Sequence, residues 1–285
     1  MKKYLKLMRV HHYVKNLLVF AALAFSGQFF SVDKLIAGAI GFAAFCAASS
    51  AIYIINDIKD REKDRCHPTK RNRPVASGAV TVKNACILMA FLFVVAAVAS
   101  IPIYNPVAIA LLGAYIILNI AYSFGLKNLP IIDIFILVSG FVIRVLYGAI
   151  ITDIAVSDWL YLTVISVSFY FALGKRRNEL KRVSAGETRA TLKYYSEKFL
   201  DKIMYMCLGL ANAFYALWAM DKKNTMNNGR MIIWTVPLVL LISMAYSMNI
   251  EGDSDGDPVE VLLRDKKLLI LCAIYIIMMG LLLYV

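Results

Sequence analysis

Apolar runs near the length needed to cross a lipid bilayer recur along the whole chain and limit what it can fold into. A spanning helix needs about 20 apolar residues. Backbone groups that face lipid must be hydrogen-bonded within their own segment, so these runs are predicted to be helices. The runs lie at 35–55, 85–103, 107–124, 131–151, 159–173, 203–220, 231–250 and 268–285, with a shorter one at 17–30. The sequence therefore predicts an all-α membrane protein, a bundle of nine transmembrane helices forming one domain over 1–285.

Composition agrees with this interpretation. Hydrophobic residues make up 60% of the chain and charged residues 18%, whereas a soluble domain carries about 25% charged residues. The net charge of +12 would suit a nucleic-acid-binding surface, but the apolar content excludes that class and leaves the bilayer as the expected partner. The basic segment 1–15 and the small residues that follow are also typical of a cleaved signal peptide, although the many further spans favour a retained first helix.

The positive charges predict an orientation. If the N-terminus is cytoplasmic, the cytoplasmic segments hold 26 Lys and Arg residues and the opposite side holds 4. Basic loops stay on the cytoplasmic side of a membrane. We therefore expect a multi-pass protein of the inner (plasma) membrane, with its N-terminus and its charged loops at 56–83 and 175–202 in the cytoplasm.

Four polar side chains follow the second apolar run at helical spacing: Asn56, Asp57, Asp60 and Asp64. Residues three or four positions apart share one face of a helix, so a helix that continued from this run would bring the carboxylates together. Carboxylates so placed repel one another unless a cation lies nearby. Because oxygen-only ligands favour a hard ion, the spacing predicts a Mg²⁺ site shared with a substrate phosphate.

A basic stretch comes directly after these aspartates. Pro68 is expected to end the helix, and Lys70, Arg71 and Arg73 follow it. Cations of this kind bind phosphate oxygens. The alternative is a solvated loop in which Asp and Lys or Arg simply pair with one another. The position of the segment at the mouth of an apolar bundle favours a metal-bridged diphosphate.

The pattern Asn56-Asp57-x-x-Asp60-x-x-x-Asp64 resembles the first aspartate-rich motif of the UbiA superfamily of intramembrane prenyltransferases. This resemblance covers nearly the full chain and implies a nine-helix bundle with Mg²⁺-diphosphate bound at the cytoplasmic side. Members of the superfamily carry a second aspartate-rich motif after the sixth helix. The corresponding stretch here, 171–180, is basic and contains no aspartate.

In this departure the chain is similar to a narrower branch of the superfamily, the decaprenyl-phosphate phosphoribosyltransferases. The similarity extends through 13–16, 67–74, 122–123, 139–144, 174–176, 194–196 and 257–265. It implies transfer of phosphoribose from phosphoribosyl pyrophosphate to a polyprenyl phosphate, with release of diphosphate. It also implies substrate contacts for Lys15, Asn16, Tyr122, Lys127, Lys175, Arg176 and Tyr194.

Arg144 lies inside the fifth apolar run, where an unpaired charge would cost about 2.5–3.5 kcal/mol on insertion scales. It is expected to face the interior, either paired with a buried acid or in contact with a substrate phosphate. Asp133 is too far along the same helix to be that acid. Lys175 and Arg176 have an alternative role as positive anchors at the end of the sixth span.

Two other functions stay open at this point. One is a conventional prenyltransferase that moves a prenyl group from a prenyl diphosphate to an aromatic or other acceptor. The other is a membrane transporter, for which we would expect charged residues throughout the depth of the bilayer. Only Arg144 and Asp133 break the apolar runs with charge, which favours an enzyme.

Overall fold

The computed structural model describes residues 2–67, 70–181, 191–222, 229–252 and 256–285. Within these ranges the chain is helical and contains no β-strand. The α-helices are α1 (Lys2–Met8), α2 (Ala21–Ala24), α3 (Val32–Lys59), α4 (Arg61–Arg65), α5 (Val82–Ser100), α6 (Pro106–Phe124), α7 (Ile132–Ile151), α8 (Asp158–Lys181), α9 (Glu197–Asp221), α10 (Gly229–Ile232), α11 (Val236–Glu251), α12 (Pro258–Arg264) and α13 (Lys266–Tyr284). Short 3₁₀ segments connect several of them, and a long one covers Val10–Phe20.

Seven of the described helical segments are long and apolar enough to cross a membrane. They are Val32–Lys59, Val82–Ser100, Pro106–Phe124, Ile132–Ile151, Glu197–Asp221, Gly229–Glu251 and Lys266–Tyr284. The predicted all-α membrane architecture is confirmed. Seven of the nine predicted spans correspond to these segments. The other two predicted spans, at 159–173 and 17–30, lie in regions that are less apolar or not one continuous α-helix.

The first of the two is α8, which has 24 residues. At 1.5 Å per residue it is about 36 Å long, enough to cross the hydrocarbon core. Several Ser, Thr and Tyr hydroxyls lower its hydropathy, and its last turns carry Lys175, Arg176 and Arg177. The second region is the predicted span at 17–30, where the 3₁₀ segment Val10–Phe20 and α2 are followed by a turn at Gly27 with φ of 77°.

The outer faces of the spanning helices are apolar. On α5, Ile87, Phe91, Val94 and Val98 are each more than half exposed. Their spacing of three to four residues places them on one face of the helix. An exposed apolar stripe of this length is unfavourable in water and suits contact with lipid. By contrast, α3 buries most of its apolar stretch inside the protein.

The chain forms two compact units, and in the described residues the first has one hydrophobic core and the second has two. Among the described residues, the first contains 2–24, 28–67, 70–129 and 143–155, and the second contains 25–27, 130–142 and those from 156 onward. Phe45, Ala48 and Ile54 of α3 are fully buried in the first core. Leu200 and Met204 of α9 are fully buried in one of the cores of the second unit. The prediction that 1–285 is one domain stays a prediction.

In the first unit, a glycine lets the long 3₁₀ segment pack closely on α7. A Cβ atom added to Gly148 would lie only 1.8 Å from the backbone oxygen of Val19. Only hydrogen can occupy that space, so Gly148 determines how closely the two segments approach. This close contact also sets the approach of Asn16 and Arg144, which lie one turn away on the same two segments.

Candidate active site

The aspartate motif lies at the junction of α3 and α4 in the first unit. α3 ends at Lys59, and Asp60 has φ of −86° and ψ of 7° between the two helices. Backbone hydrogen bonds from Asp60 to Asn56 (2.9 Å) and from Asp64 to Asp60 (2.8 Å) keep helical spacing across the break. The motif is therefore not on one continuous helix as predicted, but its residues keep nearly the predicted spacing.

Asp57 and Asp64 are almost completely buried and share one arginine. Nη1 of Arg73 lies 2.7 Å from Oδ2 of Asp64 and 3.4 Å from Oδ1 of Asp57. Nη2 of Arg9 lies 2.5 Å from the same Asp57 oxygen. Buried carboxylates require such partners because isolated charges are costly to remove from water. Two guanidinium groups thus neutralise the inner part of the motif.

Asp60 is the more accessible carboxylate of the motif and has a different partner. The Lys127 ammonium, in the short turn after α6, lies 3.0 Å from Oδ1 and 2.9 Å from Oδ2. The two side chains are about one-fifth exposed. The structure therefore brings Lys127, a predicted substrate-binding residue, directly to a predicted metal ligand.

The basic stretch after the motif begins beyond residues 68 and 69, which lie outside the described residues. Lys70 donates its backbone N–H to Nδ1 of His67 at 3.2 Å, and the Arg71 side chain is exposed. Arg73 turns inward to the carboxylates. Of the three predicted phosphate-binding cations, the structure thus places one in the aspartate cluster.

A second polar cluster lies in the interior of the first unit around Arg144, which is 6% exposed. Its Nε donates to Oδ1 of Asn16 at 2.8 Å, and its Nη2 donates to the Tyr115 hydroxyl at 3.0 Å. The guanidinium also lies 4.9 Å from the ring centre of Phe45. Amide, phenol and ring therefore hold the arginine, and two predicted substrate-binding residues, Asn16 and Arg144, are in direct contact.

Arg176, in the second unit, is completely buried. Its Nε lies 2.6 Å from Oδ2 of Asp133, and its Nη1 lies 2.7 Å from Oε2 of Glu179. The Tyr195 hydroxyl donates to the other oxygen of Asp133 at 2.7 Å and accepts from the backbone N–H of Ile131. Burial and the neighbouring carboxylate raise the pKa of Tyr195 to about 12, so it stays a neutral donor.

The remaining predicted residues occupy separate positions. Nζ of Lys175 lies 3.7 Å from Oδ2 of Asp257 in the second unit, and Tyr194 is 63% exposed. Lys15 and Tyr122 are half-buried in the first unit, as is Asn56. Substrate contact stays a prediction for Lys15, Tyr122, Lys175, Arg176 and Tyr194, and the role of Asn56 as a metal ligand stays a prediction as well.

Sequence reasoning missed Arg9, Tyr115 and the Asp133–Tyr195 pair. Arg9 is one of five basic residues in the N-terminal segment, and no local pattern distinguishes it from the others. Tyr115 and Tyr195 look like ordinary aromatic residues of an apolar or interfacial stretch. The available signal was Asp133, since a second charge inside a predicted span calls for a buried partner.

The motif's donor set fits a hard divalent cation. Its ligands are all oxygens, as Mg²⁺ prefers, and a positive nitrogen already lies between Asp57 and Asp64. In the parts of the chain that the structure describes, no three His, Cys, Asp or Glu side chains are arranged to hold a metal ion as they stand. Binding a metal therefore requires the carboxylates to exchange their present partners.

The fold is that of a helical membrane protein, since several helices are long enough to cross a bilayer. Its charged site is the aspartate motif at the end of α3, whose carboxylates pair with Arg9, Arg73 and Lys127. Residues 16–220 match the UbiA prenyltransferase family, and the chain belongs to this family. It is a multi-pass membrane protein and a transferase by that membership.

Two relatives match the chain over nearly its full length. A protein of Mycolicibacterium smegmatis named decaprenyl-phosphate phosphoribosyltransferase is 34% identical, with 98% of this chain and 92% of the relative covered. A protein of the same name from Corynebacterium glutamicum is also 34% identical, with 99% and 86% covered. The similarity therefore includes the segments on both sides of the family match.

The fold is also that of solved UbiA structures. A UbiA homologue from Archaeoglobus fulgidus, described as bound to GPP and Mg²⁺, aligns with a TM-score of 0.73 over 99% of both chains. Its sequence identity to this chain is 19%, so the likeness concerns the fold alone.

Proposed function

We propose that this protein transfers the 5-phosphoribosyl group of phosphoribosyl pyrophosphate to a polyprenyl phosphate and releases diphosphate. The observation that carries the proposal is its similarity, over nearly the full length, to two proteins named decaprenyl-phosphate phosphoribosyltransferase. The basic end of α8, where the superfamily has a second aspartate-rich motif, supports the same substrate class because it suits phosphate oxygens.

The aspartate motif is the proposed binding site of the donor's diphosphate. Mg²⁺ would be held by Asp60 and Asp64, assisted by Asn56 and Asp57, and would neutralise charge on the leaving diphosphate. A UbiA homologue described as bound to Mg²⁺ supports this choice of metal.

Cations of the chain bind the diphosphate directly in this proposal. Lys70 and Arg71 follow the motif, and Arg73 and Lys127 already contact its carboxylates. Donors held in place before the reaction stabilise the charge that develops as the carbon–oxygen bond to diphosphate breaks. Positive character then develops at the anomeric carbon of the ribose.

The acceptor phosphate attacks that carbon from the face opposite the leaving diphosphate. It needs no general base, since a phosphate monoester is largely ionised at neutral pH. Arg144, held by Asn16 and Tyr115, and the Lys175–Arg176 end of α8 are the proposed contacts of phosphate oxygens, together with Lys15 and Tyr194. Arg176 is completely buried and paired with Asp133. For Arg176 this role therefore requires that its guanidinium separate from Asp133, at least in part.

The lipid tail of the acceptor lies along the apolar outer faces of the helices, in contact with the bilayer. Its phosphate stays at the membrane surface that carries the charged loops. From the excess of positive charge in those loops we place that surface, and the N-terminus, in the cytoplasm of a cell with the protein in its inner (plasma) membrane.

The test is transfer of radiolabelled phosphoribose by the purified protein, with mass spectrometry of the lipid product. Asp60→Asn and Asp64→Asn should each lower the rate about 100-fold or more at limiting Mg²⁺, a loss typical of removing one charge-stabilising group. Glu62→Gln is the matched control because Glu62 is exposed and pairs only with Arg61 and Arg65 among the described residues.

Two results would contradict the proposal. One is full activity of the Asp60 and Asp64 variants at limiting Mg²⁺. The other is a product made from a prenyl diphosphate and an aromatic acceptor, with none from phosphoribosyl pyrophosphate, which would favour a conventional prenyltransferase.

A further inference from the structure

Each carboxylate of the aspartate motif is matched by a cation of the same chain. Arg9 and Arg73 contact Asp57, Arg73 also contacts Asp64, and Lys127 contacts Asp60. Three negative and three positive groups thus form one cluster within the first unit. The motif is electrically balanced before any substrate arrives.

Arg9 is held in this cluster by more than its ion pair. Its backbone has φ of 53° and ψ of 48°, in the left-handed region that residues other than glycine, asparagine, aspartate and histidine seldom adopt. Its guanidinium lies 4.8 Å from the ring centre of Tyr53. A strained backbone that persists is compensated by the surrounding contacts, and here those contacts direct the guanidinium to Asp57.

The balance affects each ligand in turn. A divalent cation that arrives alone meets three positive groups, one of which lies between Asp57 and Asp64. A diphosphate that arrives alone meets three carboxylates. If both arrived, the carboxylates would hold the metal, and the guanidinium and ammonium groups would contact the phosphate oxygens. Every charge would then keep an opposite partner.

We propose that Arg9, Arg73 and Lys127 are built-in counter-ions of the aspartates, which make the divalent cation and the diphosphate bind as a coupled pair. This inference rests on the proposed function only in taking the motif as a metal–diphosphate site. It adds Arg9 as a diphosphate-binding residue. Coupling of this kind is reciprocal, because each ligand raises the affinity for the other by the same factor.

The experiment measures binding rather than turnover. The full-length protein in detergent micelles is titrated with Mn²⁺, observed by electron paramagnetic resonance, with and without inorganic diphosphate. A titration without protein corrects for the complex that the two ions form in solution. We expect diphosphate to raise the affinity for Mn²⁺ at least tenfold.

Variants distinguish counter-ions from ordinary structural ion pairs. Arg73→Gln should bind Mn²⁺ alone more tightly than the parent protein and diphosphate more weakly, so that the coupling shrinks several-fold. Lys127→Gln should likewise bind Mn²⁺ alone more tightly and diphosphate more weakly than the parent protein. Its ion pair is partly exposed, so it is expected to fold even if Arg73→Gln does not. Arg61→Gln is the matched control. It also removes one positive charge next to the aspartate motif, but the partner of Arg61 is Glu62 and not an aspartate of the motif.

Two outcomes would overturn the inference. The first is equal affinity of the parent protein for Mn²⁺ with and without diphosphate. The second is coupling in Arg73→Gln and Lys127→Gln equal to that in Arg61→Gln. Inorganic diphosphate is the part shared by phosphoribosyl and prenyl donors, so a wrong assignment of the donor would leave this result unchanged.

Discussion

Asp133 shows how a single buried charge can hold several segments of a protein. It lies at the start of α7, pairs with Arg176 near the end of α8, and accepts from Tyr195 just before α9. Both members of the ion pair have no exposed surface. Removing one partner from a buried pair costs about 3–5 kcal/mol when the other charge is left uncompensated. Here Glu179 stays beside Arg176 at 2.7 Å, so the cost should be smaller.

Asp133→Asn is therefore expected to lower the stability of the protein, by less than about 3–5 kcal/mol because Glu179 still neutralises Arg176. Thermal unfolding in detergent micelles measures the change, and Glu62→Gln should leave the unfolding midpoint where it is. If Asp133→Asn unfolded at the midpoint of the parent protein, Arg176 would not depend on this carboxylate. Arg176 would then be available for the substrate contact predicted from the sequence.

Charged residues were found from the sequence more easily than their partners. The spacing of Asp57, Asp60 and Asp64 and their predicted need for a nearby cation were readable because helical periodicity is local. The cations that meet them, Arg9 and Lys127, lie 48 and 67 residues away. Such long-range contacts depend on packing, and no local pattern indicates them.

At the scale of helices and segments, the packing of the 3₁₀ segment on α7 depends on Gly148. Gly148→Ala would place a methyl group 1.8 Å from the backbone oxygen of Val19. A backbone atom cannot rotate away, so the two segments must separate and the contact between Arg144 and Asn16 should lengthen.

We expect Gly148→Ala to lower the unfolding midpoint and the activity together. Gly113→Ala is the control, since Gly113 lies within α6 with nothing within 4 Å of the added Cβ. There the change should raise stability by about 0.5–1 kcal/mol, because alanine favours a helix interior over glycine. Equal effects of the two changes would show that the close approach at Gly148 is unimportant.

The positions of the helices were predicted well where hydrophobicity determines them. Helix breaks and 3₁₀ segments, which depend on backbone geometry, were not predicted. The apolar runs at 85–103 and 107–124 correspond to Val82–Ser100 and Pro106–Phe124 within a few residues. The break between α3 and α4 at Asp60 was not predicted. The aspartates have the same sequence spacing with or without an interruption, and Asp64 keeps its helical hydrogen bond to Asp60 across the break. The 3₁₀ geometry of Val10–Phe20 was likewise missed, because its hydrophobic content resembles that of an α-helix.

For the whole molecule, the orientation in the membrane is a prediction from charge alone. Cysteine labelling of intact cells with a membrane-impermeant maleimide tests it. The exposed thiols Cys66 and Cys86 must first be replaced. Tyr104 and Ser77 are both exposed and lie just beyond opposite ends of α5.

We expect the Tyr104→Cys variant to react from outside and the Ser77→Cys variant to react only after the cells are opened. The physical reason is the 26-to-4 distribution of positive charges, which predicts a cytoplasmic position for the segment of Ser77. Labelling of Ser77→Cys in intact cells, with Tyr104→Cys protected, would reverse the topology. Tyr104 lies one residue before the Asn105 cap of α6, so the cap is preserved.

The internal pairing of the aspartates has a consequence for how the protein matures. Many metal proteins cannot complete their structure until the ion arrives. Here Arg9, Arg73 and Lys127 already neutralise the carboxylates in the folded protein. Excess EDTA should therefore abolish transfer without lowering the unfolding midpoint, and a large drop in that midpoint would contradict this view. In a cell short of magnesium the enzyme would stay folded but inactive, and it would regain activity when the ion returned without having to refold.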